Sequence, residues 1–413
     1  MQRLKNAFYE HRFGLFFFGI FMVFGFVMLD SMRIVEDHGV AYSFYCVDFS
    51  IGFCTKILPG AIYNFLFGKY TETAITIYVK SLIILVFLAI AFLFEAILKN
   101  SKSDVRKERF FFLCFAAATI CYFFFKAGLV YLLDFHWIIA ALLFIICISN
   151  KRLYIFIPLT FLYAILTHYV SLICYVAVCL IIVLYKVYKT QDKKEKYMLY
   201  GILILSLALV GGTFIYMLLF ELDNIKISYP QFISLLENRG VGQLEYYKFA
   251  FFRESVEDVF EDYYTEEIKG LIENIDMNQS PIKILIDTVH QQLVINLYLA
   301  DHEAYLPKLV VFLPGIGFMT DSLVKNMKGR KVFEKLIYLS GIVLFLFVCF
   351  FGLLFSTDTI RWIGNAVLTF TIFSLFMLFY SESNNGKTLT SISKLPDGVY
   401  YSYLALCFLI PVM

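Results

Sequence analysis

The stretch "LYIFIPLTFLYAILTHYVSLICYVAVCLIIVLY" (residues 153–185) decides how this chain is threaded. It contains no Asp, Glu, Lys or Arg. As one helix rising about 1.5 Å per residue it would run roughly 50 Å, against a hydrocarbon core about 30 Å thick. A single crossing cannot use it. The only polar cluster inside it is "THYVS" (Thr167 to Ser171). The run therefore divides there into two crossings, 153–168 and 170–186.

The rest of the chain has the same character. Of its 413 residues 60% are hydrophobic, 19% aromatic and 16% charged, and the mean hydropathy is +0.75. A soluble domain of this composition would lack the polar surface to cover itself. Apolar runs near or above about 18 residues recur, the signature of membrane-spanning helices. The reading is an all-α, polytopic integral membrane protein with about 11 transmembrane helices. The expected spans are 13–30, 73–98, 109–125, 130–149, 153–168, 170–186, 197–220, 305–324, 336–356, 363–380 and 399–413. The first apolar run has no small-residue cleavage site behind it, so it reads as a retained helix. The last run stops in mid-pattern, either as a short final helix or in a chain that continues.

Basic residues test this layout through the positive-inside rule. With the N-terminus in the cytoplasm, the inner segments carry 22 of the 35 Lys and Arg, grouped around Arg3–Arg12, Lys99–Arg109, Lys151–Arg152, Lys186–Lys196, Lys325–Lys335 and Lys387–Lys394. One misplaced span would break that alternation. The chain then divides into an N-terminal bundle (1–220) with a first outer loop (31–72), an acidic outer loop (221–304) and C-terminal helices (305–413). The acidic loop holds 16 Asp and Glu against 6 Lys and Arg. Its stretch "RESVEDVFEDYYTEEIKGLIENI" (253–275) has apolar residues at helical spacing and is expected to form amphipathic helices. The segment "CTKILPGAIYNFLFG" (54–68) is apolar but short, and reads as a re-entrant or interfacial helix. Cys46 and Cys54 share the first loop, either as a disulfide or as two thiols.

A formal net charge of +2 gives no footprint for nucleic acid. There is no P-loop, no G-x-G-x-x-G after a strand, no H-E-x-x-H and no CxxC pair, so no cofactor or metal is expected. No cytoplasmic segment is large enough to bind a nucleotide, so any chemistry must use substrates already in the membrane with an activated leaving group.

Ionisable residues at membrane depth are costly and mark function. They crowd the outer side: Asp30, Asp48, Lys126, Asp134, His136, His168, Asp287, His290, Asp301, His302, Glu303, Asp358 and Arg361. Five of the six histidines lie there. Each has a plainer reading. Asp134 and His136 in "YLLDFHW" also suit an interfacial polar cap. Lys126 suits a snorkelling helix end. His168 suits a backbone hydrogen bond, and Asp358 with Arg361 suits a helix-capping ion pair at i, i+3.

This combination resembles the bacterial O-antigen and exopolysaccharide polymerases (Wzy type), and more broadly the lipid-carrier-dependent membrane glycosyltransferases of the GT-C class. "LDFHWIIAALLFIICISNKRLYIFIPLTFLYAILTHYVSLI" (133–173) resembles a polymerase core in which a helix pair leads to a His and a small hydroxyl residue, here His168 and Ser171. "TDTIRW" (357–362) resembles the outer Asp and Arg before a late helix, here Asp358 and Arg361. The first loop, with Asp30 and Asp48, resembles the loop where GT-C enzymes keep a catalytic Asp, although no DxD or ExD motif occurs in it. The resemblance implies a cell-envelope protein of the cytoplasmic (inner) membrane acting on a polyprenyl-diphosphate-linked glycan in the outer leaflet, alongside other polysaccharide-assembly proteins. Arg361, then Lys126, would stabilise the diphosphate leaving group, since guanidinium binds phosphate oxygens bidentately. His168 or Asp48 would be the base for the acceptor hydroxyl. Asp358 would orient Arg361, and Asp134, His136 and Trp362 would bind substrate, Trp362 by stacking or as a helix anchor. The rival readings are a transporter or flippase of lipid-linked glycans, which needs a polar path through the whole membrane, and a non-enzymatic scaffold using the acidic loop.

Overall fold

The computed structural model describes residues 9–31, 45–53, 57–68, 70–101, 103–122, 136–149, 152–168, 170–219, 224–239, 310–355, 359–380 and 392–409, with scattered positions between 280 and 295. Among them the chain is helical. In chain order the helices are α1 (Arg12–Ser31), α2 (Leu58–Phe67), α3 (Glu72–Lys99), α4 (Ser103–Cys121), α5 (His136–Ile148), α6 (Ile157–His168), α7 (Val170–Lys189), α8 (Lys193–Leu219), α9 (Tyr229–Asn238), α10 (Leu313–Met327), α11 (Val332–Phe355), α12 (Thr359–Tyr380) and α13 (Asp397–Leu409). One two-residue antiparallel ladder joins β1 (Gly52–Phe53) to β2 (Asn224–Ile225).

Each segment read as a span overlaps a helix in its described part. Four helices are long and apolar enough to cross a membrane by length and composition, with apolar cores at 73–99, 193–216, 332–350 and 362–379. The long run divides where its polar cluster lies: α6 ends at His168 and α7 begins at Val170. Helix α4 starts at Ser103, before the expected 109, because Arg106, Lys107, Glu108 and Arg109 are good helix formers and join the apolar run without a break. The expected interfacial segment forms α2, with Pro59 in its first turn and Gly68 in the left-handed region as its C-cap. The stretch expected to form amphipathic helices, 253–275, lies outside the described residues, as does Cys54.

Helix α12 is the hub. Its apolar core is 83% buried, against 17% for α8 at the rim. It packs on α4, α5, α7, α10 and α11. Gly341 of α11 lets that helix come close, since a Cβ there would collide with the Phe373 ring. A second seam joins α1 to α3 through Phe17 on Phe94 and Phe21 stacked on Phe87.

The basic segments meet at one end. His11 and Lys99 reach Glu95 at 3.2 and 2.5 Å, and Glu95 also accepts from the Gly14 amide at 2.8 Å. Lys107 pairs with Asp397 at 2.5 Å, and Arg109 lies over Phe379. Lys186 lies over Tyr154 and Phe376, while Lys189 and Arg330 both bind Glu334, at 2.6 and 3.1 Å. Glu95, Glu108 and Glu334 are buried there. The sequence reading gave these carboxylates no role.

Candidate functional site

The described residues with the densest long-range polar chemistry lie at the opposite end, around Asp48. Its carboxylate caps the 3₁₀ turn Phe49–Ile51, accepting the Ser50 amide at 2.9 Å. The other carboxylate oxygen accepts Asn64 Nδ2 and the Tyr70 hydroxyl, both at 2.9 Å, and Arg239 Nη2 at 3.2 Å. Arg239 also donates to the Cys46 carbonyl and lies 4.5 Å over the Tyr70 ring. Asp48 and Arg239 are 191 residues apart.

Local sequence explains how they meet. Gly52 sits at φ 120°, which a side chain would resist, and there the first loop turns into β1. β1 pairs with β2, and the Lys226 amide donates to the Ile51 carbonyl at 2.8 Å. Ser228 and Gln231 form a capping box that starts α9, with Pro230 in its first turn. Phe232 and Leu236, at i and i+4, are buried, which fixes the helix face and brings Arg239 at its end back to Asp48. Beneath lies an aromatic floor: Tyr63 contacts Tyr45, Tyr70, Tyr78 and Phe67.

Burial raises the Asp48 pKa, but the Ser50 and Tyr70 hydrogen bonds and the Arg239 charge outweigh it and hold the carboxyl below its usual range. Burial and the bond to Asp48 push the Tyr70 phenol up. Around neutral pH the cluster is therefore carboxylate, phenol and guanidinium. Four donors occupy Asp48, whereas described partners use two of the five N–H groups of Arg239. The carboxylate orients a cation; it is poorly placed to take a proton.

Two further features approach this end. Helix α6, which carries Tyr163, packs on α2. His168 is the last residue of α6, about 7 Å of helix beyond Tyr163. Helices α7 and α12 run parallel: the Tyr175 hydroxyl donates to Asn365 Oδ1 at 2.5 Å and Tyr185 meets Phe376. Ser171 is one turn before Tyr175, and Arg361 is one turn before Asn365. The seam thus sets Ser171 and Arg361 at one level of two adjoining helices.

Of the residues the sequence singled out, Asp48 is fully placed and Trp362 is half-buried against the core at the start of α12. His136 opens α5, His168 closes α6 and Arg361 lies in the first turn of α12. Lys126, Asp134 and Asp358 lie outside the described residues. The sequence reading missed Arg239, Tyr70 and Asn64. Arg239 left one faint signal, as one of 6 cations in a loop of 16 acids. Among the described residues no group of three or more His, Cys, Asp or Glu is arranged to hold a metal. No family model, no characterised protein and no solved structure matches the chain.

Proposed function

We propose that this protein is a membrane polymerase or glycosyltransferase with about 11 spans, N-terminus cytoplasmic, that acts on polyprenyl-diphosphate-linked glycans at the outer face of the cytoplasmic membrane. The observation that carries the reading is the parallel α7–α12 seam, locked by Tyr175 and Asn365. It levels Ser171 with Arg361, while α6, which ends at His168, packs beside the loop that holds Asp48. On backbone placement Ser171, Arg361, His168 and Asp48 lie toward the end opposite the basic segments, which supports the reading.

In this reading Arg361 and Lys126 bind the diphosphate, and Asp358 orients Arg361. His168 takes the proton of the acceptor hydroxyl as its oxygen attacks the anomeric carbon. The bond from that carbon to the diphosphate oxygen breaks, and polyprenyl diphosphate leaves. One general base contributes roughly 10²–10⁴ in rate, and charge stabilisation at the leaving group about as much again. Asp48 acts by holding Arg239, and Asp134, His136 and Trp362 hold the glycan.

A transporter is the second reading. It is favoured by the buried polar residues Asn365, Thr369, Thr371 and Ser374 along α12. The two are separated by the surface glycan of cells carrying Arg361→Ala, with protein level matched by blot. Loss of long polymer with single lipid-linked units accumulating on the outer face supports the polymerase. Units retained on the inner face support the transporter. Unchanged polymer removes Arg361 from both.

A further inference from the structure

The basic end carries more charge than its internal pairing uses. Residues 186–196 and 325–335 hold ten Lys and Arg against three acids. These two segments are neighbours: Lys189 binds Glu334 at 2.6 Å, and Tyr188 meets Phe333 at 4.8 Å between ring centres. All three acids are engaged. Glu334 takes Lys189 and Arg330, Glu195 accepts the Tyr154 hydroxyl at 2.6 Å, and Asp192 accepts the Lys194 amide. Lys193, Lys194, Lys331 and Lys335 form no ion pair among the described residues, and all four are exposed. They stand at the first turns of α8 and α11, the two long apolar helices least covered by the rest of the chain, at 17% and 28% buried. Interleaved with them are exposed Val332, Phe333 and Leu336.

We propose that this surface binds anionic phospholipid headgroups of the leaflet it borders, with Lys193, Lys194, Lys331 and Lys335 on the phosphates and the uncovered flanks of α8 and α11 along the acyl chains. Apolar flanks that end in a cation cluster match an amphiphilic anion, whereas a soluble anion would have no use for the apolar part. The proposal rests on the membrane-embedded reading and is independent of the glycan chemistry.

The test is native mass spectrometry of the purified full chain in detergent, titrated with phosphatidylglycerol and with phosphatidylcholine of the same acyl chains. Wild type is expected to retain phosphatidylglycerol preferentially, and less so as salt rises. Each lysine near an anionic surface contributes about fivefold, and the four overlap, so replacing all four by Gln should lower phosphatidylglycerol retention at least about tenfold. Phosphatidylcholine retention should not change, and the quadruple Arg variant should keep the preference. If the Gln variant does not fold, Lys331→Gln with Lys335→Gln is read instead, with thermal melting matched to wild type. Equal retention of the two lipids, or an unchanged preference after neutralisation, overturns the proposal. So does displacement of the lipid by low-millimolar inorganic phosphate, which would mark a phosphate pocket. Release of the chain from membranes by alkaline wash would instead defeat the membrane reading itself.

Discussion

Replacing Arg239 by Ala should open the contact between the first loop and the segment 224–239. The substitution removes the bond to Asp48 at 3.2 Å, the bond to the Cys46 carbonyl and the stacking over Tyr70. Breaking a buried ion pair by deleting one partner costs about 3–5 kcal/mol. Two facts lower that here. The side chains of Arg239 and Asp48 keep 15% and 10% of their exposure, and Asp48 retains three other donors. A charge-assisted hydrogen bond of about 1.5–3 kcal/mol and a cation–π contact of about 0.5–1 kcal/mol together give roughly 2–4 kcal/mol. At about 1.4 kcal/mol per tenfold, that is about 30- to 700-fold in the local opening equilibrium. Hydrogen exchange read by mass spectrometry on peptides covering 45–70 and 224–239 measures it, with the Lys226 amide, bonded to Ile51, as the most direct reporter. Arg239→Lys should recover part of the protection, since it keeps the charge and loses the planar stack. In a double-mutant cycle with Asp48→Asn, the coupling should exceed about 1 kcal/mol. Exchange within about threefold of wild type in Arg239→Ala, or no coupling, would mean that Arg239 does not hold these segments together.

Acid should have the same effect. Asp48 has its pKa lowered in the folded state, so its contribution is complete above the unfolded value near 3.9 and is lost as pH falls through the lower folded value. Exchange of the same peptides, corrected for intrinsic chemistry, should be flat from about pH 5 to 8 and rise only below about pH 4. Gly341→Ala should cost roughly 1–3 kcal/mol, because its Cβ meets the Phe373 ring between α11 and α12. A thermal melt in detergent should fall by several degrees, while Gly317→Ala, with open space around its Cβ, should melt like wild type. Tyr175→Phe leaves the buried Asn365 amide without its donor, which costs about 1–3 kcal/mol. On the proposed function it should also reduce polymer length, by loosening the seam that levels Ser171 with Arg361.

The helices were legible because hydrophobicity at span length is a local signal. The same holds for the break between α6 and α7: Thr167, His168 and Ser171 interrupt an apolar run too long for one crossing. Boundaries were less legible where charge and helix propensity disagree, as at Ser103, since lipid excludes charged residues but a helix does not. The Asp48 cluster was half legible. An acid in an apolar loop could be singled out, but its partner could not, because Arg239 is brought to it by a two-residue ladder, a capping box and two buried apolar residues of α9. None of these marks a partner 191 residues away. The buried carboxylates of the basic end escaped for a related reason: Glu95 lies within an apolar run and Glu334 between Lys331 and Lys335, and nothing local shows that the fold buries both and brings His11 and Lys189 onto them from other parts of the chain.

On the proposed function, the end of the molecule bearing His168 and Arg361 transfers a glycan from a diphosphate carrier. The most direct measurement uses the purified full chain in vesicles with a polyprenyl-diphosphate-linked glycan repeat, following release of free polyprenyl diphosphate and growth of the glycan together. Stoichiometric release with chain growth is expected of wild type, and at least about a hundredfold slower release of His168→Ala, the low end for one general base. Glycan that crosses the bilayer still attached to its carrier, with no diphosphate released, would contradict the proposed function.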